Sequence, residues 1–338
     1  MLSNTFVPFT NLSSRIPAKP PKILPVENSS KRPLWSVMIP AYNCIDYLQK
    51  CIESVLVQDE GPEEMQIEVV DDLSTDGDVE ELVRRIGIGR VSYYKQSENK
   101  GSLRNFETCI NRSKGYYIHL LHGDDWVKPG FYKEIESLFK QSPKAGSAIT
   151  NHYTYFDLDI GPQKSLPIQY VEGLLDNWLY KIASFQYLQP PAVVVKREVY
   201  ESLGSFFAVH YGEDWEMWVR IAAHYQVAYS PKCLAVYRGH HSTNISTKYI
   251  STGKNFDDLE KVIDIINNYL PESKRKKYRN KARRNFSICF ARASTRIYKR
   301  DKKTALVLAQ RSLKMHKNWR TIMYAMNCFI AFKKDSIF

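Results

Sequence analysis

The 338 residues are 43% hydrophobic and 25% charged, which excludes wholesale disorder and leaves room for one large domain or two modest ones. No uninterrupted run of about 18 apolar residues occurs, which excludes a membrane-spanning helix, and the first residues lack the charged start, apolar stretch and cleavage site of a secretory signal. The net charge of +12 is carried by the ends: residues 270–338 hold 20 Lys and Arg against 3 Asp and Glu, residues 1–33 hold 5 against 1, and the stretch between holds 23 against 32. An acidic middle argues against nucleic acid as the main ligand, because a phosphate backbone needs a positive face on the domain that binds it. The six cysteines (Cys44, Cys51, Cys109, Cys233, Cys289 and Cys328) include no CxxC pair. Reduced thiols in a cytoplasmic protein are therefore expected, and a cysteine metal site is not.

Residues 1–33 are rich in Pro, Ser and Asn without an apolar period, and read as a flexible leader of polyproline character. Ser36–Ile39 is a short buried strand halted by Pro40, and a helix follows from Asp46 with Leu48, Cys51, Ile52, Val55 and Leu56 at helical spacing. Gln66–Val70 is a second strand, Glu80–Ile86 a helix, Val91–Tyr94 a third strand, Ser102–Arg112 a helix and Tyr116–Leu121 a fourth strand. Strands alternating with helices predict crossover units and a mostly parallel sheet, whose ligands sit beyond the carboxyl ends of the strands. Further on, the strand Ala192–Val195 and a helix over Asp214–His224 belong to a second half, and beyond Asn255 the chain is helical and basic. The expected division is a leader over 1–33, a catalytic domain over 34–250 with halves at 34–130 and 131–250, and a basic helical region over 251–338.

The polar clusters fall at the expected strand ends. In Pro40-Ala41-Tyr42-Asn43 the tyrosine can stack on a base, or simply cover a turn at the sheet edge. Asp71-Asp72 repel each other unless a ligand or a helix terminus uses them, and Ser74 and Asp76 can serve as caps or turn residues there. His122-Gly123-Asp124-Asp125-Trp126 presents carboxylates of the kind hard divalent cations take, beside a glycine with room for a phosphate. Glu213-Asp214 opens a helix, where a carboxylate is either a cap or a general base, and Arg220 is a candidate structural ion-pair partner. Tyr237-Arg238-Gly239-His240-His241 holds Arg and His groups able to neutralise a leaving diphosphate, although paired histidines are also common as structural residues.

In this order, with Asn99-Lys100-Gly101-Ser102-Leu103-Arg104-Asn105 between the second and third clusters, the motifs over roughly 35–245 resemble glycosyltransferase family 2. The resemblance implies a GT-A fold: a Rossmann-like, mostly parallel mixed α/β sheet flanked by helices, here with a basic helical extension. It also implies an inverting single displacement on a nucleotide-diphosphate sugar, UDP- or dTDP-linked by preference. By that resemblance Tyr42, with Pro40 and Asn43 beside it, would stack on the base, and Asp71 and Asp72 would contact base and ribose. Asn99, Gly101 and Arg104 would lie near the diphosphate. Asp124 would hold Mg2+ or Mn2+, and Asp125 would touch the sugar or complete the metal shell. Glu213, Arg238, His240 and His241 would line the donor site, and Asp214 would be the base. His122 stands where the family often has an acid, so its part in the metal site is doubtful. The Gln-x-x-Arg-Trp signature of processive members is absent, so single addition is expected.

The acceptor would be a saccharide or a lipid-linked hydroxyl, selected by the Tyr-, Gln- and Trp-rich stretch 150–190. The tail, with Lys274-Arg275-Lys276-Lys277 and an apolar stretch Ile322–Phe332 before Lys333-Lys334, is either a solvated helical subdomain or a docking surface for the anionic inner face of a membrane. Three rivals remain: a nucleotidyltransferase, for which the first loop lacks a Gly-rich basic phosphate loop, a non-catalytic scaffold on the same fold, and nucleic-acid binding through the tail.

Overall fold

The computed structural model describes residues 15–26, 31–156, 161–239 and 245–335. Its sheet opens with β1 (Trp35–Ala41), β2 (Met65–Asp71), β3 (Ser92–Lys95) and β4 (Tyr117–Leu120), separated by helices α1 (Ile45–Leu56), α2 (Val79–Gly87) and α3 (Ser102–Arg112). β1 pairs in parallel with both β2 and β4, and β2 with β3. All seven residues of β1 are buried, as a central strand covered by helices on both faces requires, hence its continuous apolar run. The strand continues through Pro40 to Ala41 instead of stopping at the proline. Pro40 tolerates this because its carbonyl, and so its nitrogen, faces the β4 side beyond the last β1–β4 rung, Met38–Leu120; there it accepts from Gly123 N–H at 3.1 Å.

The second half adds β5 (Trp126–Val127), α4 (Phe131–Gln141), β6 (Ala145–Phe156), β7 (Gln163–Lys164), β8 (Gly173–Leu174), α5 (Trp178–Ile182), β9 (Val193–Lys196), α6 (Arg197–Leu203), α7 (Glu213–His224) and β10 (Gln226–Gly239). The strand order is β3-β2-β1-β4-β9-β6-β10-β5, with β7 beside β6 and β8 beside β10. β9 runs antiparallel to both β4 and β6, while β6 and β10 are parallel, so β10 points the same way as β1–β4. α7 hands over to β10 through the single residue Tyr225 and reverses direction, which brings its N-terminus back to the carboxyl-end rim. Register breaks in β10 flank Pro231, which has no N–H for the ladder.

The C-terminal helices are α8 (Ile245–Thr252), α9 (Lys254–Asn268), α10 (Glu272–Ile297), α11 (Lys302–Met315) and α12 (Trp319–Asp335). α9 and α10 share the main core: Phe256, Leu259, Val262 and Ile263 join it, and Phe286 packs at 4.8 Å on both Trp215 and Phe185. A smaller cluster of Tyr298, Ala305, Ala309, Ala325 and Cys328 joins α11 and α12. No helix among the described residues is long and apolar enough to cross a membrane.

Residues 15–26, expected as part of a flexible leader, are instead packed against the body. Ile23 is 1% exposed, and the backbone of Pro17 and Pro21 accepts from Ala208 and Ser205 N–H, each at 2.9 Å. Prolines leave carbonyls free to accept while removing donors that would need partners, so a Pro-rich stretch can lie flat on another backbone.

Candidate active site at the carboxyl-end rim

Two loops meet at the ends of β1 and β2. Tyr42 stands 50% exposed at the rim. Asn43 takes φ +48°, a left-handed conformation asparagine tolerates; its backbone N–H donates to Ser74 Oγ at 3.0 Å and its Oδ1 accepts from Thr75 N–H at 2.8 Å. Asp76 then caps α1 from across the gap, accepting from Ile45 N–H at 2.9 Å. One Asp71 oxygen accepts from Ser74 N–H at 3.0 Å and Ser74 Oγ at 2.6 Å, and the other from Tyr93 OH at 2.9 Å. Beside them opens a cavity of about 500 Å³ lined by Asp71, Ser74, Thr75, Gly77, Tyr93 and Lys95.

Asp72 serves the protein. Its carboxylate accepts from Lys100 N–H at 2.7 Å, Gly101 N–H at 2.8 Å and Asn99 Nδ2 at 3.0 Å, folding the 99–101 loop around itself. Burial pushes its pKa up to about 6, against the pull of those two backbone amides. Arg104 pairs with Glu107 at 2.7 Å and lines a separate cavity with Tyr94, Lys100 and Arg112. Since Tyr93 and Tyr94 alternate across β3, that cavity lies on the face of the sheet away from Asp71. The cation that reaches Asn99 is Arg15, whose Nη2 donates to the Asn99 Oδ1.

The loop after β4 carries the third cluster. Ligand atoms of His122, Asp124 and Asp125 lie within 4.8 Å of one another, so these three side chains can hold a metal ion. Asp125 is 1% exposed; its Oδ1 accepts from Arg238 N–H at 2.8 Å, while its Oδ2 is buried and meets no donor among the described residues. Burial, with Asp124 nearby, drives the Asp125 pKa well up. His122 stacks on Phe106 at 5.0 Å, and burial lowers its pKa, which favours the neutral ring a metal would need. Arg238 is built into the same loop, with Nε donating to Asp124 O at 3.1 Å and its guanidinium 4.2 Å from the Tyr47 ring centre. Tyr47 carries no motif and was not legible as a partner.

At the start of α7, Asp214 Oδ1 accepts from Trp215 N–H at 2.6 Å and Oδ2 from Gln186 Nε2 at 2.8 Å. Burial raises its pKa to about 6, and burial together with Asp214 raises that of Glu213 well above the ordinary range. Each Asp214 oxygen keeps a lone pair, so a carboxylate poised near neutrality can still take a proton. Arg220 pairs with buried Glu216 at 3.0 Å, the structural role open to it from sequence. Gln186 entered the site without a motif to announce it. His240 and His241 lie outside the described residues.

The sheet order and its flanking helices define an α/β protein of the GT-A class. Among solved structures, Staphylococcus aureus TarS 1-349 in complex with UDP-GlcNAc matches with a TM-score of 0.64 at 15% identity, covering 82% of this chain and 79% of that one. A mannosyltransferase from Pyrobaculum calidifontis in complex with GDP-Man and Mn2+ matches with a TM-score of 0.53 at 17% identity, covering 93% and 90%. These likenesses show the fold. By sequence, the Mycobacterium tuberculosis protein MT1568 is 28% identical over 69% of this chain and 75% of its own length. Pasteurella multocida hyaluronan synthase is 34% identical over 32% of this chain, a match spanning only 11% of that protein. The model of glycosyl transferase family 2 matches residues 36–204, half of the chain. The chain belongs to that family and to the glycosyltransferase class of enzymes.

Proposed function

We propose that this protein transfers a sugar from a nucleotide-diphosphate donor, UDP- or dTDP-linked, to a hydroxyl of a saccharide or lipid-linked acceptor in polysaccharide or glycolipid synthesis, with inversion. The observation that carries the reading is the buried Oδ2 of Asp125, which meets no donor among the described residues, beside Asp124 and a neutral His122, at the same rim as the Asp71 cavity and Asp214. A buried carboxylate oxygen without a hydrogen-bond donor is costly unless a cation or proton satisfies it, so the residues fit a divalent metal. Asp124, Asp125 and His122 would hold Mg2+ or Mn2+, which when bound supplies charge neutralisation to the departing diphosphate. The solved relatives that hold UDP-GlcNAc, or GDP-Man with Mn2+, support a nucleotide-sugar donor.

On this reading the Asp71 cavity takes the nucleoside, with Tyr42 over the base at its open side. Asp214 removes the acceptor proton as the acceptor oxygen bonds to the anomeric carbon from the face opposite the leaving group. The bond from that carbon to the diphosphate oxygen breaks, and the nucleotide diphosphate leaves with the electron pair. Gln186 orients the carboxylate through its 2.8 Å hydrogen bond. Asp214→Asn tests the assignment: donor binding should persist and turnover collapse, and near-normal turnover would refute it.

We also place the protein at an anionic membrane surface. Trp319, Ile322, Met323, Met326 and Ile330 are exposed along α12 at helical spacing, flanked by Arg320, Lys333 and Lys334. Removal of residues 270–338 would be a poor test, since it strips Phe286 from Trp215. Serine replacements at Trp319, Ile322 and Met326 should instead abolish flotation with anionic vesicles; unchanged flotation, or equal flotation with neutral vesicles, would remove the idea.

A further inference from the structure

The packed segment 15–26 ties together parts of the chain on either side of the rim. On one side Ala208 and Ser205 N–H donate to Pro17 and Pro21, and Gly204 accommodates the contact: a Cβ there would lie 2.7 Å from the Pro21 carbonyl oxygen. Arg197, 2% exposed, donates through Nη2 to Leu24 O at 2.9 Å while its Nη1 holds the Ile110 and Ser113 carbonyls at the end of α3. The front of this strap is Arg15. Its guanidinium donates to Asn99 Oδ1 and lies against Gly101, where a Cβ would fall 2.9 Å from Nε; Gly101 itself sits at φ +85°. Burial dominates the pKa shifts of Asp72 and His210, and the Arg15 charge tempers the rise at Asp72 and adds to the fall at His210.

Its bond to Asn99, whose amide donates in turn to Asp72, places Arg15 against the loop at the end of β2. Asp72 follows Asp71, which lines the nucleoside-sized cavity, and His210 precedes by four residues the carboxylate of Asp214. A ligand that runs from that cavity to Asp214 must place its middle between them. Among the described residues Arg15 forms no carboxylate pair; its hydrogen bond goes to a neutral amide. A guanidinium has five N–H groups in a fixed fork that matches phosphate oxygens, so most of its donors remain for an anion.

We propose that the strap delivers Arg15 as a contact to the diphosphate of the nucleotide donor. This rests on the donor reading above. It makes residues 15–26 part of the binding site and couples donor binding to the docking of the strap.

The test uses the full chain with Mn2+ and compares UDP, dTDP and GDP with their nucleosides by calorimetric titration. Arg15→Gln should weaken the diphosphate that the wild type binds by roughly 10- to 100-fold, the scale of a charge-assisted hydrogen bond. The matching nucleoside should bind as before, and Arg15→Lys should recover part of the loss. Unchanged diphosphate affinity in Arg15→Gln overturns the proposal. So does an equal loss for nucleoside and diphosphate, which would mean that Arg15 only shapes the loop around Asp72. Wild-type protein that binds none of the diphosphates would overturn the donor reading itself, and this inference with it.

Discussion

The carboxylates at the end of β2 and those after β4 sit at the same rim but are used differently. Every Asp71 oxygen meets a protein donor, and Asp72 accepts from Asn99, Lys100 and Gly101, so this pair builds two loops and the wall of a cavity. Asp125 gives one oxygen to Arg238 N–H and keeps the other buried with no donor among the described residues, while each Asp214 oxygen meets a single donor. The lesson is that an acidic motif signals a ligand only to the extent that the fold leaves its oxygens unspent.

This contrast can be broken at its strongest point first. Asp214→Asn should lower turnover by about 10²- to 10⁴-fold, the range of general-base catalysis, with donor affinity retained in calorimetric titration. Next, Asp125→Asn should weaken Mn2+ binding by at least about tenfold while the melting temperature stays near that of the wild type, because the replaced Oδ2 has no donor to lose among the described residues. If manganese binding is unchanged, that oxygen is not reserved for a cation.

Asp72→Asn should do the reverse. Whichever way the amide turns, its NH2 would face the N–H of either Lys100 or Gly101 with a second donor, costing about 1–3 kcal/mol of stability in chemical denaturation at pH 7. A further test is the pH dependence. Burial raises the Asp72 and Asp214 carboxyls to about 6, above their unfolded value, so both take up protons on folding at intermediate pH. Stability from these groups therefore rises as pH falls from 7 toward 4.5, while kcat/KM falls below about pH 6 as the base is protonated. The Asp214→Asn variant should lose that acidic limb; if the limb persists, another group titrates.

Much of the site was legible because it is local. A buried apolar strand followed at once by Tyr42, Asp71-Asp72 or Asp124-Asp125 places polar residues at a strand end whatever the rest of the chain does. The helix over Ser102–Arg112 and the start of α7 were read within one residue for the same reason. The apolar face of α1 was likewise read directly from its spacing. What could not be read were relations between distant segments. Arg15 meets Asn99 across 84 residues, Gln186 reaches Asp214 across 28, and Arg197 holds Leu24 across 173. A proline-rich composition describes the unbound preference of residues 15–26, and docking on the 204–208 backbone overrides it.

The sequence by itself determined the order of strands and helices in the first half, the acidic rim and the basic C-terminal helices, since periodicity and strand-end chemistry act over a few residues. Only the tertiary structure decided which carboxylate oxygens are satisfied, that Arg104 faces away from the Asp71 cavity, and that a leader segment brings a guanidinium to the rim. Satisfaction, facing and proximity are properties of pairs brought together by packing, and no single stretch of chain carries them.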